Sequence, residues 1–322
     1  MTAPAHANVT RARDRCPLCG SRNIVSTRTV QVSDLRRIYS ISGIDVSSEF
    51  SGCPELALQL CRDCDCQFFL PELPGSPAFY EQLQKHHWYY PSEKSEFSFA
   101  SQFIGGLDSV LEIGCGKGAF ARHIACREYV GLEYTEASVS TARVNGLTVF
   151  RESITEYANR TAASHDVVCF FQVLEHVPNV RSFLSDSLRC LRPGGLLILS
   201  VPSADSFLAY SLNNILNMPP HHVTRWSTRA LVSLGNCFNL QVVDQQHELL
   251  ADEHVQNYAE TVFLLGLSGA YRRLMPLTDL SIGYRLRIRL ASMLARLLLP
   301  ALRDKSMRPP GHSITFVYRK PG

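Results

Sequence analysis

The sequence lacks any apolar run long enough to cross a lipid bilayer; the best candidate, Val262–Leu267, is far too short. Residues 1–15 also lack the apolar core of a secretory signal peptide. Charged residues make up 19% of the 322 residues and hydrophobic residues 45%, which is typical of a globular protein. We therefore expect a cytoplasmic protein with one large domain and an accessory module.

A global excess of positive charge is missing as well. The formal net charge is +3, but residues 271–308 contain nine Arg or Lys and two Asp, which gives this segment +7 and the remainder −4. A protein that binds nucleic acid is expected to be strongly basic over a broad surface. The charge distribution therefore disfavours a nucleic-acid partner.

Eleven cysteines without a secretion signal indicate thiols or metal ligands in a reducing compartment rather than disulfides. Cys16 and Cys19 form one Cys-x-x-Cys pair, and Cys61 and Cys64 form a second. Two such pairs favour a structural zinc site with four thiolate ligands, although the 41 residues between them exceed the usual 15–20. Free buried cysteines and a redox pair are the alternatives, and Cys66 is an alternative ligand to Cys64.

These pairs predict a zinc-binding module over residues 1–78, followed by a larger domain over residues 79–322. The gap between the pairs contains apolar residues among polar ones, which we interpret as a β-like insertion. Its apolar residues are Val25, Val30, Val32 and Ile38.

An aromatic-rich stretch, Phe79–Pro91, joins the two predicted units. Packing between the module and the larger domain is one interpretation of its aromatic side chains. The other is a flap over a ligand, with Tyr80, Tyr89 and Tyr90 as candidates.

Three glycines at alternate positions follow an apolar run that begins at Val110. Gly114, Gly116 and Gly118 lack a Cβ, so they allow a tight strand-to-helix turn and close approach of a ligand to the backbone. Gly114, Gly116 and Ala119, followed by Glu133, also fit the pattern of a dinucleotide-binding loop, for which hydride transfer is the chemistry. Glu112 argues against that alternative, because a buried carboxylate is a poor neighbour for a pyrophosphate and a good one for a cation such as a sulfonium.

Four segments, in order, resemble the motifs of class I S-adenosylmethionine-dependent methyltransferases. They are Leu111–Gly118, Val130–Tyr134, Asp166–Val177 and Leu191–Gly195. The resemblance covers roughly residues 95–250. It implies a doubly wound, Rossmann-like α/β sheet, S-adenosylmethionine as cofactor and methyl transfer as the activity.

Ligands of such sheets bind beyond the carboxyl ends of the strands. The cofactor-binding residues that the resemblance implies are Glu112, Gly114, Cys115, Gly116, Gly118, Glu133, Tyr134, Ser153 and Gln172. Glu133 is expected to accept hydrogen bonds from ribose hydroxyls, and Gln172 is expected beside the sulfonium. Ser153 stands where the family usually carries an acid near the adenine.

Alternating apolar patterns predict the elements of the larger domain. We expect helices at 95–104, 119–126, 136–144 and 180–191, and strands at 129–133, 147–150, 166–171 and 195–201. By resemblance, strands within 239–250 and at 313–320 form a closing antiparallel pair. A mostly helical insertion at about 252–310 separates these two strands.

Paired histidines follow two prolines in the segment Pro219–Ser227, and related methyltransferases often carry such a segment followed by Trp. His222 or His221 is the predicted general base if the acceptor is a hydroxyl, with His176 behind them. Histidines bonded to the backbone of a loop are the alternative. Metal binding by His221 and His222 is disfavoured, because adjacent side chains in an extended segment point apart.

The acceptor is the least determined part of the prediction. A cysteine module before a methyltransferase sheet resembles enzymes that act on sugars, glycan precursors or natural-product intermediates, so we expect a small-molecule acceptor. An RNA methyltransferase with a zinc module is an alternative, against which the low net charge and the lack of an Asn/Asp-Pro-Pro-Tyr motif argue. A non-catalytic zinc-ribbon adaptor is a further alternative, and it would bind no cofactor.

One face of the predicted insertion is apolar and a second face is basic. The apolar face contains Leu286, Leu290, Met293, Leu294 and Leu297, and the other contains Arg285, Arg289, Ser292 and Arg296. Packing against the sheet or a second subunit is one interpretation. Contact with an anionic membrane surface or a phosphate-bearing acceptor is the other.

Overall fold

The computed structural model describes residues 14–86, 94–269 and 275–322. Within these ranges the chain forms a four-stranded antiparallel sheet, the small sheet, and a seven-stranded mixed sheet, the large sheet. The small sheet contains, in spatial order, β1 (Ile24–Gln31), β2 (Glu55–Cys61), β3 (Gln67–Leu70) and β9 (Thr224–Arg225). The first three of these strands occupy the predicted N-terminal module.

Helix α1 (Val32–Ile41) follows β1 directly, between the two cysteine pairs. The expectation of a β-like segment is confirmed for β1 and is wrong for Val32 and Ile38, which are buried residues of the helix. From residue 32 the apolar side chains recur every three or four residues, and Leu35 and Tyr39 are fully buried. That spacing places them on one helical face, which packs under the small sheet.

Strand β9 connects the small sheet to the second half of the chain. Gln67 and Phe68 of β3 pair with Arg225 and Thr224 of β9. Helix α2 (Pro77–Leu83) also contributes buried side chains to the core beneath the small sheet. The division at residue 78 stays a prediction, and these contacts join the two sides of it.

The large sheet has the predicted doubly wound arrangement. In spatial order it contains β10 (Gln241–Leu249), β11 (Pro310–Arg319), β8 (Leu191–Pro202), β7 (His165–Phe171), β4 (Ser109–Ile113), β5 (Glu128–Leu132) and β6 (Thr148–Phe150). Strands β8, β7, β4, β5 and β6 are parallel, whereas β11 is antiparallel to both β8 and β10. This topology confirms the expected fold class and the closing antiparallel pair.

Central strands of the large sheet supply two cores because successive side chains point to opposite faces. Val110 and Val167 enter the core on one face, and Leu111 and Val168 enter the core on the other. Cys61 belongs to this second core. The predicted zinc ligands therefore lie in the same packed layer as one face of the large sheet.

Short helices connect the strands of the large sheet. They are α3 (Ser95–Ala100), α4 (Glu136–Val144), α5 (Ile154–Arg160), α6 (Val180–Cys190) and α7 (Thr228–Cys237). The predicted helix at 119–126 is wrong: only a 3-10 turn, Phe120–His123, follows the glycines. Phe120 is fully buried against Phe171, with 4.6 Å between ring centroids. The turn ends at Ile124, which has extended backbone angles.

The insertion between β10 and β11 is helical, as expected. It contains α8 (Val255–Ser268) and α9 (Ile282–Leu302). The face of α9 that carries Ala291 and Ala295 is buried, whereas Leu286 is 61% exposed and Leu297 is 74% exposed. The predicted apolar face is therefore exposed to solvent over much of its length. Among the described residues, no helix is both long and apolar enough to span a membrane.

Candidate functional site

The glycine loop turns sharply after β4. Gly114 and Gly118 adopt positive φ angles of +73° and +79°, which residues with a Cβ rarely adopt. A Cβ on Gly114 would lie 2.6 Å from Val173 Cγ2, and a Cβ on Gly118 would lie 2.1 Å from Leu147 Cδ1. Both glycines are therefore required by backbone conformation and by packing.

Glu133 ties this loop to the end of β5. Its Oε2 accepts a hydrogen bond from the Gly116 N–H (3.0 Å), and its Oε1 accepts one from the Thr135 N–H (2.8 Å). Each carboxylate oxygen has two lone pairs, so both retain capacity to accept a further bond. Glu133 thus holds the glycine loop in place while its carboxylate faces the cavity beyond the sheet.

Glu112 is 3% exposed at the end of β4 and accepts a hydrogen bond from the Tyr129 hydroxyl. Burial raises the pKa of its carboxyl to about 8, and the Tyr129 bond opposes this shift only in part. The carboxyl therefore lies in a place where a cationic neighbour would strongly favour its ionised form.

Gln172 occupies the end of β7 with a φ of +57°, a left-handed conformation that is uncommon outside glycine. Its side-chain amide donates to Ser313 Oγ (3.1 Å) and to Glu96 Oε1 (3.2 Å). Ser153 caps helix α5 in a reciprocal arrangement with Glu156. Ser153 therefore has a structural role as a helix cap besides its place at the cavity wall.

The predicted cofactor-binding residues converge on one cavity of about 2230 Å³, measured on the described part of the chain. Those that line it are Glu112, Gly114, Cys115, Gly116, Glu133, Tyr134, Ser153 and Gln172. Gly118 instead packs against Leu147. Tyr134 is 68% exposed at the cavity edge, and Cys115 is 5% exposed.

Four neighbouring residues of the cavity wall form what we call the histidine cluster: His176, His221, His222 and Glu175. The expectation that the side chains of His221 and His222 point apart is wrong. Their rings stack, with 4.5 Å between centroids and 19° between planes. The cause is a tight turn rather than an extended segment, because both N–H groups lie 3.1 Å from the Met218 carbonyl oxygen.

Hydrogen bonds to backbone carbonyls orient two of these imidazoles. His176 Nδ1 lies 2.6 Å from the His221 carbonyl oxygen, and His221 Nδ1 lies 3.0 Å from that of Leu216. A carbonyl oxygen only accepts, so each Nδ1 carries the proton and each Nε2 carries the lone pair. Burial lowers the pKa of His176 to about 4 and the pKa values of His221 and His222 well below their usual range, so all three rings are neutral near pH 7.

Glu175 belongs to the segment Asp166–Val177, which resembles a methyltransferase motif, and the sequence alone predicts no catalytic role for it. It is 1% exposed, and neither carboxylate oxygen has a hydrogen-bond partner among the described residues. Its Oε1 lies 3.9 Å from Nε2 of both His176 and His222. Burial raises the pKa of this carboxyl to about 8. The sequence signal that could have indicated this residue is an acid directly before a histidine, shortly after a buried strand.

Tyr80 also lines the cavity, and its hydroxyl lies 3.2 Å from His176 Nδ1. The other two flap candidates, Tyr89 and Tyr90, lie outside the described residues. Helix α2, which carries Tyr80, packs against the core of the small sheet through Phe79. The aromatic stretch therefore combines packing with contact to the histidine cluster.

Four cysteines of the predicted module form a second cluster. Cys16 Sγ lies 3.5 Å from Cys64 Sγ, and Cys19 Sγ lies 3.6 Å from Cys61 Sγ. All four sulfur atoms lie within 4.8 Å of one another. Four thiolates around a tetrahedral zinc at 2.3 Å would be spaced by about 3.8 Å, so this set fits the ion.

Strand pairing explains how a long gap still brings the cysteines together. Ile24, which follows the first pair, is opposite Cys61 in the β1–β2 ladder. The 41 intervening residues are taken up by β1, α1 and β2 and by the turn before β2. Cys66 is fully buried beside the cluster, where its thiol contacts the Cys16 side chain and lies 3.9 Å from the Gln67 carbonyl oxygen. The set of four sulfur atoms within 4.8 Å of one another contains Cys64 and not Cys66, so the geometry favours Cys64 as the fourth member.

Comparison with known proteins shows which family the chain resembles. A family model described as a methyltransferase domain matches residues 76–245. A Mycolicibacterium smegmatis protein named "probable S-adenosylmethionine-dependent methyltransferase" is 31% identical over 175 residues, which cover 53% of this chain and 66% of the relative. The ubiquinone biosynthesis O-methyltransferase of Hahella chejuensis is 33% identical over 129 residues, covering 36% and 54% of the two chains.

These matches span less than two thirds of the relatives' own length. Among solved structures, a SAM-dependent methyltransferase from Archaeoglobus fulgidus aligns with a TM-score of 0.48 and 16% identity. That alignment covers 75% of this chain and 100% of the other.

Proposed function

Because the chain belongs to the class I S-adenosylmethionine-dependent methyltransferases, we propose that it transfers a methyl group to a hydroxyl oxygen of a small molecule. The observation that carries this proposal is the position of the histidine cluster. It lines the same cavity as the glycine loop and Glu133, so cofactor-side and acceptor-side groups face one space. An oxygen acceptor is favoured because a hydroxyl must lose its proton during transfer, and this cluster supplies lone pairs for that purpose.

Bound S-adenosylmethionine would supply a methyl group already activated on a positively charged sulfur. The chain's own residues then bind and align. Glu133 retains lone pairs for the ribose hydroxyls, and the buried Glu112 carboxylate is complementary to the positive charge of the amino-acid part. Gln172, fixed by its bonds to Ser313 and Glu96, forms the cavity wall at the end of β7.

On the acceptor side, alignment is the main task of the protein. Holding an acceptor oxygen in line with the methyl carbon can supply roughly 7–11 kcal/mol of the barrier reduction. We propose that His222, His221 and His176, together with Glu175, favour loss of the acceptor proton. Their role in the chemistry stays a proposal, supported by the convergence of their side chains at the cavity wall.

The charge of the cavity supports a small, uncharged or cationic acceptor over RNA. Among the described residues that line it, eleven are Asp or Glu and six are Lys or Arg. A phosphate backbone would be repelled by such a surface. The acceptor classes that we propose are sugars, glycan precursors and natural-product intermediates with free hydroxyls, and the name of the Hahella relative adds quinone-precursor phenols.

We further propose that Cys16, Cys19, Cys61 and Cys64 hold a structural zinc ion. Four thiolates complete a tetrahedral shell and leave no position open for a substrate. The cysteines pack within one core of the large sheet, so the ion would fix the predicted module against it. Such a site requires thiols that stay reduced, which supports the expected cytoplasmic location.

The proposed activity is tested by calorimetry and by a turnover assay on the full chain. S-adenosylmethionine and S-adenosylhomocysteine should each bind at one site per chain. Release of S-adenosylhomocysteine should then require a hydroxylated acceptor from a panel of catechols, phenols and hexoses, with methylated oxygen detected by mass spectrometry. A folded protein that gives no binding heat with either ligand would exclude the proposal, and NADH binding in its place would support the hydride-transfer alternative.

A further inference from the structure

The histidine cluster has a feature that acid–base chemistry alone does not require. One ring nitrogen from each of His176, His221 and His222 lies within 4.8 Å of the other two. The Nδ1–H groups of His176 and His221 donate to backbone carbonyls, which leaves Nε2 of both rings as the lone-pair atom. Histidines that bind metals typically donate their second N–H to a carbonyl or carboxylate in this way.

Glu175 supplies a second, independent observation. A carboxyl group that is 1% exposed and has no hydrogen-bond partner among the described residues is costly to bury whether or not it is ionised. It faces Nε2 of His176 and of His222 at 3.9 Å, which is beyond hydrogen-bond distance. A cation between these groups would compensate the buried carboxylate and use the imidazole lone pairs together.

We propose that the histidine cluster binds one divalent transition-metal ion through Nε2 of His176, His221 and His222 and the carboxylate of Glu175. Imidazole and carboxylate ligands suit zinc, iron, cobalt and manganese, whereas magnesium prefers a shell of oxygen atoms. A tetrahedral ion at 2.0–2.1 Å would place its ligand atoms about 3.3 Å apart, so the four side chains would move closer together when the ion binds.

The ion would face the cavity, and its role follows if the proposed methyl transfer is correct. A metal-bound hydroxyl loses its proton more readily than a free one. The proton passes to solvent water, the acceptor oxygen forms a bond to the methyl carbon, and the bond from that carbon to sulfur breaks. The electron pair of the broken bond stays on sulfur, which becomes the neutral thioether of S-adenosylhomocysteine.

Cobalt substitution distinguishes this site from the cysteine cluster. The full chain is produced in medium in which cobalt replaces zinc, and cobalt per chain is measured by elemental analysis. Cobalt bound by thiolates shows a charge-transfer absorption band that cobalt bound by nitrogen and oxygen lacks. We expect two cobalt ions per chain, of which the cysteine cluster accounts for one.

His222→Asn and the nearly isosteric Glu175→Gln should each lose one cobalt per chain and keep the thiolate band unchanged. His254→Asn is the matched control, because His254 lines the same cavity outside the cluster, and it should keep both ions. Thermal unfolding of each variant confirms that the fold is retained. Wild-type protein with thiolate-bound cobalt alone, or two ions retained in both ligand variants, would overturn the inference.

Calorimetry with S-adenosylmethionine on the same samples separates this inference from the proposed function. Normal cofactor binding in a wild-type chain without the second ion would contradict the metal site and leave the proposed methyl transfer unaffected. A second ion in a chain that binds no S-adenosylmethionine would support the metal site and contradict its proposed role in methyl transfer.

Discussion

The cysteine cluster and the histidine cluster are similar in size, but they differ in how the chain assembles them and in what surrounds them. The four cysteine sulfur atoms lie within 4.8 Å of one another, and so does one ring nitrogen from each of the three histidines. The cysteines are two local pairs that a strand ladder brings together inside a packed core. The histidine cluster combines the turn after β7 with the loop before β9, and it lines a large cavity.

We propose that this difference separates a site that stabilises the fold from a site that takes part in catalysis. Four thiolates satisfy an ion completely, so a metal there can only stabilise the structure. The histidine cluster is held by the backbone around it, including the 2.9 Å bond from the Val223 N–H to the Glu175 carbonyl. Its geometry therefore does not depend on an ion, and its side chains remain directed towards a ligand space.

Removal of one cysteine ligand should have the largest effect. We expect Cys64→Ser to abolish zinc binding and to cost on the order of 10 kcal/mol of folding free energy, because binding and folding of a small metal module are coupled. Zinc content and the thermal unfolding midpoint measure the effect. The control is Cys53→Ser, a partly buried cysteine of the same module outside the cluster, which should cost less than about 1 kcal/mol. Equal losses in the two variants would contradict a zinc role.

Removal of a histidine should affect turnover rather than stability. We expect His222→Ala to lower kcat by about 10²–10⁴-fold while S-adenosylmethionine binds with unchanged Kd, since the cluster faces the acceptor. The measurement is S-adenosylhomocysteine release with the acceptor that the hydroxyl panel identifies. Unchanged turnover would show that His222 does not take part in the reaction. A loss of stability as large as that of Cys64→Ser would contradict the proposed difference between the two clusters.

Glu133→Gln should have an intermediate effect, which is confined to the binding of the cofactor. We expect the Kd for S-adenosylmethionine to rise about 10–100-fold, because hydrogen bonds to charged groups contribute about 1.5–3 kcal/mol. Calorimetry gives the Kd directly. Glu136→Gln is the matched control: its carboxylate is exposed and paired with Arg151, so its loss should have little effect. A similar Kd change in both variants would indicate a general charge effect instead of a specific contact.

The smallest predicted effect is the release of a fraction of a proton from the protein when S-adenosylmethionine binds. Because the pKa of Glu112 is raised to about 8, its carboxyl is largely protonated at pH 7 in the free protein, and a cationic ligand should displace that proton. Affinity for S-adenosylmethionine should therefore rise with pH up to about 8 and then level off. Calorimetry in two buffers of different ionisation enthalpy measures the release, which Glu112→Gln should abolish. Proton release that persists in this variant would assign the effect to another group.

Local patterns were sufficient for much of the fold. Helix α4 was predicted at its observed bounds, and the buried strands β5 and β7 were predicted to within one residue at each end, because their apolar periodicity is set by neighbours in the chain. The failure at 119–126 has a tertiary cause. Phe120 is drawn into the core against Phe97 and Phe171, and propensity along the chain contains no information on that contact.

Short-range patterns along the chain were sufficient to predict the strand–glycine–strand order, the four paired cysteines and the acids at the strand ends, because each has a direct physical meaning. Packing in three dimensions established that β9 completes the small sheet, that Glu175 is buried with no hydrogen-bond partner among the described residues, and that three histidines converge. These features join residues about 45–160 positions apart, and their geometry depends on how loops pack against a finished sheet.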